Sequence, residues 1–275
     1  MTYADRFRVA AGQEIRLKEV DPAFKDHEGR KKSADEMEGD RAKLRALQEL
    51  FYADGRSSLL ICLQGMDAGG KDGTIGHILG AMNPQGCRVV AFKEPSAEER
   101  AHDFLWRIHR ATPPRGQVTL FNRSHYEDVL IVRVHERVPR SVWSRRYDQI
   151  NAFESELAEN DTHILKFFLH ISKEEQLRRF EERLDDPAKQ WKISEADYKE
   201  RAFWDDYMGA YEEALSRTST AQAPWFVIPS DHKWFRNLVI ARIVVEYLEG
   251  LDLRVPPPSV DLKHIRREYH AAEKK

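Results

Sequence analysis

The sequence predicts an α/β protein built on one central parallel sheet with a phosphate-binding loop at its carboxyl edge. Three observations carry that prediction. Short apolar runs alternate with amphipathic segments of helical length, the pattern of strands covered by helices on both faces. The first such run, Leu59-Leu60-Ile61-Cys62-Leu63, passes directly into Gly65-Met66-Asp67-Ala68-Gly69-Gly70-Lys71-Asp72-Gly73. Beyond the loop, Ile75, Ile78, Leu79 and Met82 recur at helical spacing. A buried strand, a glycine-rich turn and a helix N-terminus together aim backbone N–H groups at an anion, and a lysine adds a mobile positive charge. The chemistry implied is phosphoryl transfer.

Each element follows in chain order. Residues 1–54 read as an N-terminal arm, extended and including Lys31-Lys32, followed by an amphipathic helix marked by Leu44, Leu47, Leu50 and Phe51. Residues 55–250 read as the kinase-like core. Its second strand is Arg88-Val89-Val90-Ala91-Phe92, ending at Lys93-Glu94-Pro95. Ser96 with Glu99 forms a capping box that opens a helix with the stripe Ala101, Phe104, Leu105 and Ile108, stopped by Pro113-Pro114. The third strand, Val118 to Phe121, delivers Asn122-Arg123-Ser124-His125-Tyr126-Glu127-Asp128 to the edge where open α/β sheets bind ligands. A helix over about 140–158, a strand from Ile164 to Leu169 and a helix from Ser172 to about Leu184 come next. A helical lid over about 178–204, a strand Trp225 to Ile228 and an apolar-striped helix to about Leu248 complete the core, and 251–275 form a tail.

Composition bounds what else the chain can be. Its 275 residues hold one large α/β domain with appendages, and 41% hydrophobic residues suffice for a substantial core. A net charge of −2 supplies no global field for polyanions, so a phosphate site must come from a local basic cluster and broad nucleic-acid binding is disfavoured. Cys62 and Cys87 lack metal-ligand spacing and read as free thiols. With no apolar leader and no run of about 18 apolar residues, the expected location is cytoplasmic, off the membrane.

The loop departs from the usual pattern. Gly65 to Gly70-Lys71 satisfies G-x-x-x-x-G-K, but Asp72 stands where a hydroxyl normally helps hold magnesium, and Thr74 comes two residues later. Asp67 reads either as a turn cap or as a magnesium ligand or acceptor orienter; Asp72 reads either as a first-turn acid or as part of the site. Lys71 would reach phosphate oxygens. Arg123 can grip phosphate bidentately, while Asn122 can ligate but is a weak base. Glu127 and Asp128 are first-turn acids, or face the site; His125 reads as a packed histidine rather than a general base. Arg178, Arg179, Arg183, Lys189, Lys192 and Arg201, interleaved with acids, suggest cations closing over phosphate.

Taken with Phe104-Leu105-Trp106-Arg107, Phe121 to Asp128 and Ala223-Pro224-Trp225, the loop resembles that of family-2 polyphosphate kinases over residues 45–250. The resemblance implies a three-layer P-loop kinase fold of thymidylate-kinase type and magnesium-dependent transfer between inorganic polyphosphate and nucleoside mono- and diphosphates, with manganese an alternative ion. It implies catalytic roles for Asp67, Lys71, Arg123, Arg178 and Arg183, and a phosphate loop of Gly65, Met66, Ala68, Gly69, Gly70, Asp72, Gly73 and Thr74. Lys93, Asn122 and Glu127 fall on the acceptor side, Lys189 and Lys192 in the lid, and Asp67 with Asn122 at the metal. Asn122, where many members carry Asp, together with Glu127 is similar to the subgroup that accepts both AMP and ADP. A homodimer or homotetramer is implied as well. The competing expectations are an ATP-dependent nucleoside monophosphate kinase and a nucleotide-binding module without turnover.

Overall fold

The computed structural model describes residues 1–26 and 29–273, with the side chains of residues 29–32 left aside. Five strands run parallel: β1 (Ser58–Gly65), β2 (Cys87–Ala91), β3 (Val118–Asn122), β4 (Thr162–His170) and β5 (Trp225–Pro229), in the order β2-β3-β1-β4-β5. β1 is buried along its whole length, as a central parallel strand must be, and its side chains divide by the two-residue period of a strand. Leu59, Ile61 and Leu63 join one core cluster and Leu60 and Cys62 another on the opposite face. Both cysteines are free thiols.

The helices, in chain order, are α1 (Tyr3–Phe7), α2 (Gly29–Asp54), α3 (Lys71–Leu79), α4 (Ala97–Arg100), α5 (Trp106–His109), α6 (Ile131–Val134), α7 (Arg140–Glu159), α8 (Lys173–Asp185), α9 (Glu195–Arg201), α10 (Trp204–Thr218), α11 (Lys233–Glu249) and α12 (Leu262–Ala272). α2, α3 and α11 cover one face, where Leu44, Phe51, Ile78, Val239 and Val244 are buried against the sheet. α7 and α10 cover the other through Tyr147, Ile150, Ala210 and Tyr211. The sequence expectation of a sheet covered on both faces holds. No described helix is long and apolar enough to cross a membrane.

Three elements differ from expectation. The helix begun by Ser96 and Glu99 does form its capping box, but it ends after one turn at Arg100, and a second turn starts at Trp106. Between them the Asp103 carboxylate accepts from the Leu105 N–H at 2.9 Å, and such a local bond competes with the helix ladder. Residues 204–218, unassigned by periodicity, form a full helix. The extended arm is instead strapped down: Arg8 bridges to Phe226 on the β5 edge, Leu17 is buried with its N–H donating to Glu212, and helix α2 already includes residues 31–32. Covering a sheet edge in this way removes a template for wrong pairing.

Candidate active site

Strand order places the site. The chain leaves β1 toward β2 on one side and leaves β3 toward β4 on the other, so the carboxyl ends of β1 and β3 diverge around a crevice. Leu63 and Asn122 are register partners there, and the Arg123 N–H donates to the Leu63 carbonyl at 3.1 Å. The loop after β1 fills the crevice. A side chain at Gly65 would put its Cβ 2.9 Å from the Leu169 carbonyl oxygen; one at Gly70, where φ is +103°, would lie 1.8 Å from Arg236 Nη1. Packing against backbone thus requires glycine at 65, and the left-handed backbone requires it at 70. Arg123 itself has φ +61° and Ala68 has φ +59°, strain of the kind that gathers at working sites.

Lys71 folds back over the loop and donates to the Gly65 and Met66 carbonyls at 2.6 and 3.2 Å. Burial, then the nearby Arg123 charge, pushes its ammonium down to about 8, while Asp67, Glu127 and Asp72 oppose the shift. Asp67 pairs with Arg123 at 3.0 Å, and the Asn122 amide donates to Asp72 at 2.9 Å. The loop is also held from outside. The Asp67 carbonyl accepts from Gln176, the Ala68 carbonyl from Arg179, and the Gly69 carbonyl from Arg236, at 3.0, 2.7 and 3.3 Å.

Above the loop opens a cavity of about 670 Å³. Among the described residues, Lys71, Lys93, Arg123, Arg179, Arg183, Lys189, Lys192, Lys233 and Arg236 line it, nine cations against the four carboxylates of Asp67, Asp72, Glu182 and Asp197, with Arg179 and Arg236 nearly buried in its floor. Among the described residues its apolar side chains are Ala68, Ala91 and Phe92. A second cavity of about 470 Å³ lies beyond Phe92, Lys93 and Arg123, which line both. The second is of different character. Phe92, Phe104, Ile131, Val132 and Val138 give it apolar walls, set among charged groups of both signs that include Glu127, Asp128, Arg107 and Arg146. Arg146 stacks over Phe104 at 4.8 Å and pairs with Asp128 at 2.9 Å; burial still pushes the Asp128 carboxyl up to about 6. Burial also raises Glu127, against the pull of Arg123 and Lys71.

A family model described as polyphosphate kinase 2 matches residues 27–255. The chain belongs to the polyphosphate kinase 2 family. It is 48% identical over 257 residues to the AMP/ADP-polyphosphate phosphotransferase of Meiothermus ruber, covering 92% of this chain and 96% of that one. It is 45% identical to the ADP-polyphosphate phosphotransferase of Rhodopseudomonas palustris, with 91% of each chain covered. The crystal structure of polyphosphate kinase 2 from Arthrobacter aurescens TC1 superposes with a TM-score of 0.92 at 43% identity, over 98% of this chain and 97% of that one.

With the family established, each expected residue can be located. Asp67 to Gly73, Lys93, Asn122, Arg123, Arg183, Lys189 and Lys192 converge on the first cavity, and Glu127 and Lys93 on the second. Met66 and Thr74 are buried beneath the loop. Arg178 stands apart: it points outward, paired with Glu175 and Glu182, and does not line either cavity. Its neighbour Arg179 does. Sequence reasoning missed Gln176, Lys233 and Arg236, and also the second cavity's Arg107 and Arg146, whose guanidinia are brought in by separate helices. The signal for Arg107 lies in the Phe104 to Arg107 segment, which carries the family resemblance without a role for its arginine.

His125 is fully buried, its Nε2 3.1 Å from Glu154. Glu154 also pairs with Lys166 at 2.5 Å and accepts from the Tyr126 hydroxyl at 2.9 Å, so the turn bearing Glu127 and Asp128 rests on an internal ion network. Desolvation depresses His125, which keeps it neutral and inside the fold rather than at the reacting phosphate.

The donor atoms near the loop are carboxylate and amide oxygens, from Asp67, Asp72 and Asn122. No group of three His, Cys, Asp or Glu converges among the described residues. That set suits magnesium, which binds through one or two carboxylates and takes its remaining ligands from water and substrate phosphates.

Proposed function

We propose that this chain transfers a phosphoryl group from inorganic polyphosphate to AMP and to ADP, reversibly and with magnesium. The observation that carries the reading is the contrast between the cavities: among the described residues, the one over the loop sets nine cations beside three apolar side chains, two of them alanines, which suits an inorganic polyanion better than the base of an ATP donor. The other sets Phe92, Phe104, Ile131, Val132 and Val138 among both acids and bases, which suits a nucleoside joined to its phosphate. Relatives named for AMP/ADP and ADP transfer from polyphosphate support it.

In this reading Lys71 exchanges its two carbonyl bonds for oxygens of the donor chain. Arg123 and Lys93, in the wall common to both cavities, hold the phosphoryl group in flight, and Arg183, Lys189 and Lys192 clamp the donor from the lid. Phosphoryl transfer through a loose transition state asks for positioning and charge rather than a base, which agrees with a buried, neutral His125. Asp67, with Asp72 and Asn122 beside it, would hold magnesium, which supplies neutralisation of charge on the bridging and terminal oxygens. A cytoplasmic homo-oligomer completes the proposal. Purified protein with magnesium, polyphosphate and AMP should form ADP and then ATP, and replacing polyphosphate by ATP should slow ADP formation sharply. No product from polyphosphate would sink the reading; a strict need for ATP would replace it with a nucleoside monophosphate kinase.

A further inference from the structure

We infer that Gln176, Arg179 and Arg236 are positioning residues that set the direction of the phosphate loop's N–H groups by holding its carbonyls from behind. In a trans peptide the C=O of one residue and the N–H of the next point opposite ways. Holding the Asp67, Ala68 and Gly69 carbonyls therefore directs the N–H groups of Ala68, Gly69 and Gly70. The middle N–H closes the turn on the Met66 carbonyl at 3.0 Å, and those of Ala68 and Gly70 have no acceptor among the described residues. These two remain for an anion.

The loop needs such restraint. Gly69 borders the second and third of these peptides and Gly70 the third, and glycine lets a peptide flip at little steric cost, while the first adjoins Ala68, itself held at φ +59°. The braces are themselves fixed and buried, with Gln176, Arg179 and Arg236 at 1%, 4% and 2% exposure. Arg201 donates to Gln176 Oε1 at 2.9 Å, which turns the amide nitrogen of Gln176 toward the loop. Arg179 is held by Glu175 and donates also to the Ser230 and Asp231 carbonyls. Arg236 is anchored on Asn237 and packs against Gly70. All three come from α8 and α11.

The inference rests on the proposed reading of the cavity, and its test separates the two. Gln176→Leu removes a brace without changing charge, and Arg179→Lys keeps charge while losing the fork of bonds. Each variant should melt within about 3 °C of the parent. Each should lower kcat on the order of 10- to 100-fold and weaken tripolyphosphate binding measured by calorimetry, with KM for AMP kept within about twofold. Parental kcat and tripolyphosphate affinity in both variants would overturn it. Should the buried variants not fold, Arg201→Ala, which frees the Gln176 amide together with one bond to the Lys173 carbonyl, decides beside Arg201→Lys, which keeps a donor there: a several-fold fall in kcat that Arg201→Lys rescues supports the brace, and an unchanged kcat in Arg201→Ala, or no rescue, refutes it. If the parent binds tripolyphosphate but turns nothing over, the proposed reaction fails while the binding arm still tests the brace.

Discussion

The two cavities share a wall and little else. One sets nine cations around a braced loop and a charged lid; the other sets apolar side chains among acids and bases on a turn seated over a buried Lys166–Glu154–His125 network. The difference teaches that a single crevice can recognise by charge on one side and by shape on the other. An inorganic chain offers only charge to read, whereas a nucleotide offers a face to stack upon.

Changes confined to one side should therefore separate kinetically. The largest effect is expected from Lys71→Ala, which should cut kcat about 100-fold with AMP and ADP alike, because its charge serves the transferred group rather than either substrate alone. Steady-state rates with both acceptors check this. Next, Arg183→Ala should raise KM for polyphosphate about tenfold and flatten its salt dependence, while Arg178→Ala, already paired outward with Glu175 and Glu182, should stay within about twofold. Equal losses from both would show that the lid rearranges to bring Arg178 inward. Phe104→Ala should raise KM for the nucleotide about 3- to 10-fold and leave polyphosphate KM unchanged; a matched change in both would break the division between cavities. The smallest effect is a pH dependence. With the Lys71 ammonium near 8, its charge is complete below that pH and lost above it, so polyphosphate KM should climb through pH 8 to 9 while KM for AMP stays level. Binding of the polyanion raises the ammonium again, which softens the rise.

The cation-lined side was far more legible in the sequence than the apolar one. Gly65 to Gly73 is contiguous, and its strand, turn and helix are set by local chemistry. Phe92, Phe104, Asp128, Val138 and Arg146 become neighbours only after β2, α5, α6 and α7 have packed, so no spacing along the chain announces them. Within the lid, the run Arg178 to Arg183 was legible as charge, but which arginine turns inward depends on helix phase. Arg178 meets Glu175 and Glu182 on the outer face, while Arg179, one position on, rotates toward the loop. Arg236 lay hidden inside an apolar helix. A lone buried arginine there was a clue that something polar waited on the other side.

Phe92, Lys93 and Arg123 line both cavities, and with the substrates placed as proposed they form a wall that neither crosses as a whole, so each turnover would leave the donor one unit short of it. To react again, the donor must advance along the cavity by one repeat. Because every repeat is chemically the same, each lining cation loses one oxygen and meets an identical one a step later. Such a lining works as a track: it grips the chain everywhere yet gives it no preferred stopping place, and the wall alone marks where the chain is read.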